Sequence, residues 1–269
     1  MKMKNSQNST IERLRAAGLF TKGVVYGLVG ILTAMFAIGM GGDIKGVSGI
    51  ADFFRKQPGG FVLLALTALG LTAYALWRLY ETFSNSDAIF QEDEKKTGKR
   101  LRYFYSAAVY GLLAYIFAKP LFGGGSGSGG DSKQDALGML LQQSWGVYVI
   151  GAIALIVIGQ AIYQFYRAYS GKFMKKLDEH PGQHYKNIKR AGKIGYTSRG
   201  VVFALIAFFL YRVINMHSAE AFEGTKGAMQ YLLKFEYGHI LLAAVAIGLI
   251  GYGVFNMMVA RYTKYATLG

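Results

Sequence analysis

"GVVYGLVG", residues 23–30, returns as "AAVYGLLA" at 107–114 and, more loosely, as "GVVFALIA" at 200–207. Self-similarity at wide spacing signals repeated structural units. Sliding the sequence against itself gives three of them, 13–84, 97–171 and 189–265, each a helix, an intervening segment and a second helix. Tyr26, Tyr110 and Phe203 align in the first helices. Gly60, Gly146 and Gly238 align at the start of the second helices, and Trp77, Tyr163 and Phe255 align near their ends.

The stretches that carry the repeat are apolar throughout. Six of them, near 24–40, 61–80, 103–122, 147–166, 196–214 and 240–259, are each long enough to cross a hydrocarbon layer of ~30 Å at ~1.5 Å per residue. Transmembrane strands would be shorter and alternating. The chain therefore reads as all-α: one polytopic membrane domain, 1–269, with six transmembrane helices arranged as three parallel two-helix repeats. Two helices per unit make every copy enter the membrane the same way up, which predicts a pseudo-threefold axis along the membrane normal. The first stretch follows a basic start and could be taken for a signal peptide. Its counterparts lie mid-chain, so a retained span is the expectation.

A net charge of +15 invites a nucleic-acid reading, which the placement of the charges removes. Of the 30 lysines and arginines, 19 fall in 1–22, 83–102, 169–198 and 260–269, against 8 in the alternate segments 40–60, 119–146 and 212–239. That asymmetry is the positive-inside pattern and predicts a membrane protein with both termini in the cytoplasm. The partners this implies are the bilayer and its anionic headgroups, with no nucleic acid; a small solute or ion is compatible, and oligomeric state is left open. The chain has no cysteine, which excludes disulfides, thiolate catalysis and iron–sulfur ligation. His180 and His184 flank Pro181 and Gly182, a poor frame for a metal pair. No catalytic constellation is visible, so the expectation is a non-enzyme without cofactors or metal.

The triplication, the "GVVYGLVG" face and "GLTAYALWRLYETF" at 70–83 together resemble a bacterial membrane-protein family catalogued as domain of unknown function 1206. The resemblance covers nearly the whole chain. It implies three two-helix units and leaves activity open.

Between its two helices each unit carries an apolar triplet: Ile50, Phe53 and Phe54; Leu137, Leu140 and Leu141; Met229, Leu232 and Leu233. Ser48, Ser132 or Thr225 precedes each as an N-cap candidate. These segments read as short amphipathic helices on the outer membrane surface or as turns packed on the bundle. "GGGSGSGG", 123–130, is a flexible outer linker.

Three sets of residues are candidates for function. Gly23 and Gly27, Ala107 and Gly111, and Gly200 and Ala204 are small residues four apart on the odd helices, suited to close helix packing. Tyr74 and Arg78, Gln160 and Gln164, and Tyr252 and Asn256 place polar groups on one face of all three even helices. A polar group in hydrocarbon costs several kcal/mol unless satisfied, so that face should turn inward. It forms either a polar path or a set of interhelical hydrogen bonds. Lys22, Ser106 and Arg199 align where the odd helices enter the membrane, as a vestibule or as headgroup contacts. The leading functional expectation is binding or conduction of a small solute, ion or lipid along the interior, leaning towards anions. The alternative is a sealed structural or accessory protein whose basic loops engage anionic lipids or a partner protein.

Overall fold

The computed structural model describes residues 2–47, 49–83, 96–123, 131–176, 185–222 and 224–262. Nine α-helices occur among them: α1 Lys2–Ala37, α2 Gly49–Arg55, α3 Gly60–Phe83, α4 Lys96–Ala118, α5 Asp131–Leu141, α6 Gly146–Ser170, α7 Tyr185–Met216, α8 Gly224–Leu232 and α9 Gly238–Tyr262. No strand is present among the described residues. The linker residues 124–130, Ser48 and the pair His180 and His184 lie outside them.

Six segments are long and apolar enough to cross a membrane: Arg13–Ala37, Gly60–Phe83, Arg100–Phe122, Gly146–Ser170, Tyr185–Met216 and Gly238–Tyr262. Their outer surfaces expose Leu66, Leu69, Leu155, Ile162 and Ile247, an apolar coat that water does not favour and lipid does. The protein is thus a multi-pass membrane protein. α1 and α7 run well past the apolar stretches at their N-terminal ends, which carry most of their basic residues. α1 also ends at Ala37, short of the expected Met40, because the positive-φ glycines Gly39, Gly41 and Gly42 break it.

Helices from different repeats pack in antiparallel pairs: α1 on α9, α3 on α4, and α6 on α7. Within repeats, α1 packs on α3 and α7 on α9. The remaining within-repeat pair, α4 with α6, makes no backbone approach as close as these among the described residues. The neighbour order therefore departs from threefold in the second repeat.

The segments between paired spans are helices, α2, α5 and α8, and their apolar triplets face the protein. Ile50 and Phe54, Leu137, and Met229 and Leu232 are buried in the bundle, with Phe53, Leu140, Leu141 and Leu233 partly so. Helix starts differ by a residue or two from expectation: Ser132 and Thr225 lie inside α5 and α8 rather than before them.

The tight return from each short helix into the next span explains the aligned glycines. Gly60, Gly146 and Gly238 each donate a 2.9 Å backbone hydrogen bond three residues back, to Gln57, Gln143 and Phe235. A side chain at any of them would collide with the carbonyl of Phe54, Leu140 or Leu232. At this end of the bundle, away from the termini, Lys45 pairs with Asp43 at 2.7 Å. Burial acts to raise the Asp43 carboxyl, but the hydrogen bond from Lys45 and the charges of Lys45 and Lys226 outweigh it and hold the group below its ordinary value.

Candidate functional site

The site grows from two close helix contacts, one in the first repeat and one in the third. A side chain at Gly18 would run into the backbone of Tyr74, whose Cα is 2.6 Å from the position a Cβ would take; at Gly195 the Cα of Tyr252 lies at the same 2.6 Å. One turn on, Thr21 fills the space over Gly70 and Ser198 fills it over Gly248. These contacts draw α1 onto α3 and α7 onto α9 at equivalent levels. They bring the cations Lys22 and Arg199 to the tyrosines of the neighbouring helices. Tyr74 and Tyr252 each lie about 21 Å from the start of their helix, hence well inside a ~30 Å layer.

Lys22 is buried, and its Nζ lies 4.9 Å from the ring centroid of Tyr110, 5.1 Å from that of Tyr74 and 5.3 Å from that of Tyr252. It also donates a long hydrogen bond, 3.4 Å, to the Tyr74 hydroxyl. One ammonium is thus enclosed by one tyrosine from each repeat, its charge facing π-density rather than lipid. Tyr74 and Tyr110 meet edge to face at 4.4 Å, as do Tyr26 and Tyr252 at 5.1 Å, so the enclosure is rigid.

Arg199 Nη1 donates to the Tyr252 hydroxyl at 2.5 Å, and its guanidinium lies over the rings of Tyr26, Phe203 and Tyr252 at 4.9, 5.2 and 4.6 Å. Arg78 donates to the Tyr74 hydroxyl through Nε at 3.0 Å and Nη2 at 2.8 Å, and pairs with Glu81 at 2.6 Å through Nη1. It stacks on Trp77 at 4.2 Å. Arg167 lies over Tyr196 at 4.3 Å. Glu81 is the one Asp or Glu in the six spans.

The face of polar residues expected on the even helices turns inward but does not form one continuous group. Arg78 is committed to Tyr74 and Glu81. Asn256 Nδ2 donates back to the Tyr252 carbonyl at 2.6 Å on its own helix. Gln164 is buried, and its Oε1 has no hydrogen-bond partner. No hydrogen bond joins Arg78, Gln164 and Asn256 to one another among the described residues. Gln160 and Ser106 are only partly buried, unlike their equivalents Tyr74, Tyr252 and Lys22.

Among the small residues, Gly23 lies against α9, where a Cβ would come within 2.7 Å of the Gly253 carbonyl oxygen, and a Cβ on Gly253 would in turn come within 2.8 Å of the Gly27 backbone nitrogen. A Cβ on Gly200 would stand 2.9 Å from the Phe165 ring, and Ala107 is buried. Gly111 has open space where its Cβ would stand, and Ala204 is exposed. None of the three candidate sets contains Gly18, Gly195 or Arg167, of which the sequence places Arg167 inside a helix near the basic side. A signal for the first two existed: each stands one turn before a cation of the aligned trio, at Lys22 and Arg199.

A family model described as "Domain of Unknown Function (DUF1206)" matches three times, at residues 17–85, 101–171 and 194–263. The chain belongs to the DUF1206 family. Its three matched segments coincide with the three two-helix repeats, so each family unit contributes one odd and one even span to the bundle. The DUF1206 chain is also similar to "Uncharacterized protein YxxB" of Bacillus subtilis (strain 168), at 29% identity over 263 residues, covering 97% of this chain and 94% of that one. No solved structure matches. Among the described residues no group of histidine, aspartate and glutamate could hold a metal ion.

Proposed function

We propose that the protein is a non-enzymatic membrane protein that binds an anionic group inside its bundle, in the half nearer the termini. The observation that carries this reading is the charge inventory of the interior. Lys22, Arg78, Arg167 and Arg199 stand there against one carboxylate, Glu81, already paired with Arg78. Each buried ion costs several kcal/mol unless compensated. Tyrosine faces return only about 0.5–2 kcal/mol per cation–π contact. A bound phosphate or carboxylate supplies the missing negative charge, and the planar fork of a guanidinium such as that of Arg199 can meet two of its oxygens at once. The bias of lysine and arginine supports cytoplasmic termini, and the likeness to a bacterial protein supports a bacterial inner membrane, which would offer the anion from the cytoplasm or the inner leaflet.

Open conduction is less well supported than binding. Lys22 and its three tyrosines fill the middle of the bundle, and Tyr74 and Tyr252 are only 1% exposed. That filling also favours the second reading, a sealed accessory protein. For it, the exposed Lys186, Lys189, Arg190 and Lys193 at the start of α7 offer a basic surface for anionic lipid.

The test is phosphate titration of the purified chain followed by thermal stability, with choline chloride at matched ionic strength as control. Phosphate should stabilise the wild type and bind at least tenfold more weakly to Arg199→Gln, a loss of about 1.4 kcal/mol. Equal response of the two proteins would rule out anion binding at Arg199 and leave the sealed bundle.

A further inference from the structure

The second repeat is built differently from its neighbours, and the difference lies at the contact that makes the site. In repeats one and three the two spans interlock through Gly18 or Gly195 against a tyrosine backbone and through Gly70 or Gly248 against a hydroxyl side chain. The equivalent positions in repeat two are Arg102 for the first glycine, Ile156 for the second, and Tyr105 for the Thr21 and Ser198 position. Every small residue of the interlock is replaced by a large one, and helix backbones approach closely only where side chains are small. This accounts for the wider spacing of α4 and α6.

The unlocked faces of the two helices carry partly exposed polar residues flanked by exposed apolar ones. Ser106 and Gln160, the repeat-two counterparts of Lys22 and of the clasping tyrosines, are partly exposed, and so is Arg199. Leu112 on α4 and Ile156 on α6 are exposed at 59% and 52%, on surfaces that the neighbouring hydrocarbon would cover. At the end nearer the termini the Arg102 guanidinium lies 5.1 Å from the Tyr163 ring centroid, bridging the two helices. On α6 itself Gln164, 5% exposed, keeps an acceptor oxygen with no partner, unused hydrogen-bonding capacity that a buried amide does not normally leave.

From these features we infer that repeat two forms a lateral doorway between α4 and α6, through which an anionic phospholipid places its headgroup near Arg199 while its acyl chains stay in the bilayer. This rests on the anion-binding reading above and adds the ligand class and its route. A doorway opening sideways at the depth of the spans faces acyl chains. The lipid supplies apolar chains for the exposed leucine and isoleucine and a phosphate for the arginines. A freely dissolved anion would need a water-lined mouth at the membrane surface instead.

The test uses the full chain in mild detergent, offered phosphatidylglycerol, phosphatidylcholine or inorganic phosphate. Bound lipid is counted by native mass spectrometry and phosphate binding is read from thermal shift. Wild type should retain phosphatidylglycerol at least tenfold over phosphatidylcholine. Arg102→Gly, Tyr105→Thr and Ile156→Gly together rewrite repeat two in the pattern of repeat one and let α4 close on α6. This variant should lose phosphatidylglycerol at least tenfold while still responding to inorganic phosphate. If it does not fold, Ser106→Trp fills the doorway without moving either helix and should show the same split. A folded closed variant that keeps phosphatidylglycerol at the wild-type level overturns the doorway and leaves the anion site standing. Arg199→Gln that loses neither ligand overturns the anion site, and the doorway with it. Equal retention of the two phospholipids also overturns the proposal.

Discussion

A leucine at Gly18 or at Gly195 is expected to destabilise the bundle by about 3 kcal/mol, the upper range for overpacking a close contact. The collision is with helix backbone, the Cα of Tyr74 or of Tyr252, and backbone cannot turn aside as a flexible side chain can. Relief requires moving α1 away from α3, or α7 away from α9, which also pulls Lys22 or Arg199 off its tyrosine. The control is Gly111→Ala. Nothing lies within 4 Å of the Cβ position there, and removing a helical glycine should be neutral or stabilise by up to about 1 kcal/mol. Thermal unfolding of the three proteins in one detergent separates the cases. A Gly18→Leu protein as stable as wild type would show that α1 and α3 do not meet at this point.

Glu81→Gln is the second change with a large expected effect, about 3–5 kcal/mol of lost stability, the range for breaking one side of a buried ion pair. Glu81 is 4% and Arg78 14% exposed at the side chain, so water screens the pair little. Without the carboxylate, Arg78 keeps two hydrogen bonds to the Tyr74 hydroxyl and its stacking on Trp77 but no counter-charge. Arg78→Met combined with Glu81→Leu should recover most of the loss, because an apolar pair of similar volume has no desolvation cost to offset. A double-mutant cycle built from the single and paired changes should give a coupling of at least about 2 kcal/mol. Additive effects would mean that the ion pair contributes nothing to the fold.

Much of this architecture was legible because membrane spans announce themselves locally. Length, apolarity and the threefold return of "GVVYGLVG" each depend on residues close in sequence, and the six spans follow from them. The interlock was not legible in the same way. Gly18 is one glycine among 36, and beyond the cation one turn on nothing local distinguishes it from Gly111, which faces open space. Only its partner across the helix pair, Tyr74, gives it meaning. The polar residues show the same limit. That Arg78, Gln164 and Asn256 turn inward follows from the cost of polar groups in lipid. That Asn256 bonds its own helix, Arg78 takes Glu81, and Gln164 keeps an unpaired oxygen depends on which neighbour each side chain meets.

Sequence alone therefore determined that this chain crosses the membrane six times in three repeated pairs, because hydrocarbon thickness and backbone hydrogen bonding leave few other solutions for six long apolar stretches. Tertiary structure decided the rest. It enclosed Lys22 with one tyrosine from each repeat and left the second repeat unlocked. Both outcomes turn on distances of a few ångströms between residues far apart in the chain, which periodicity and composition do not encode.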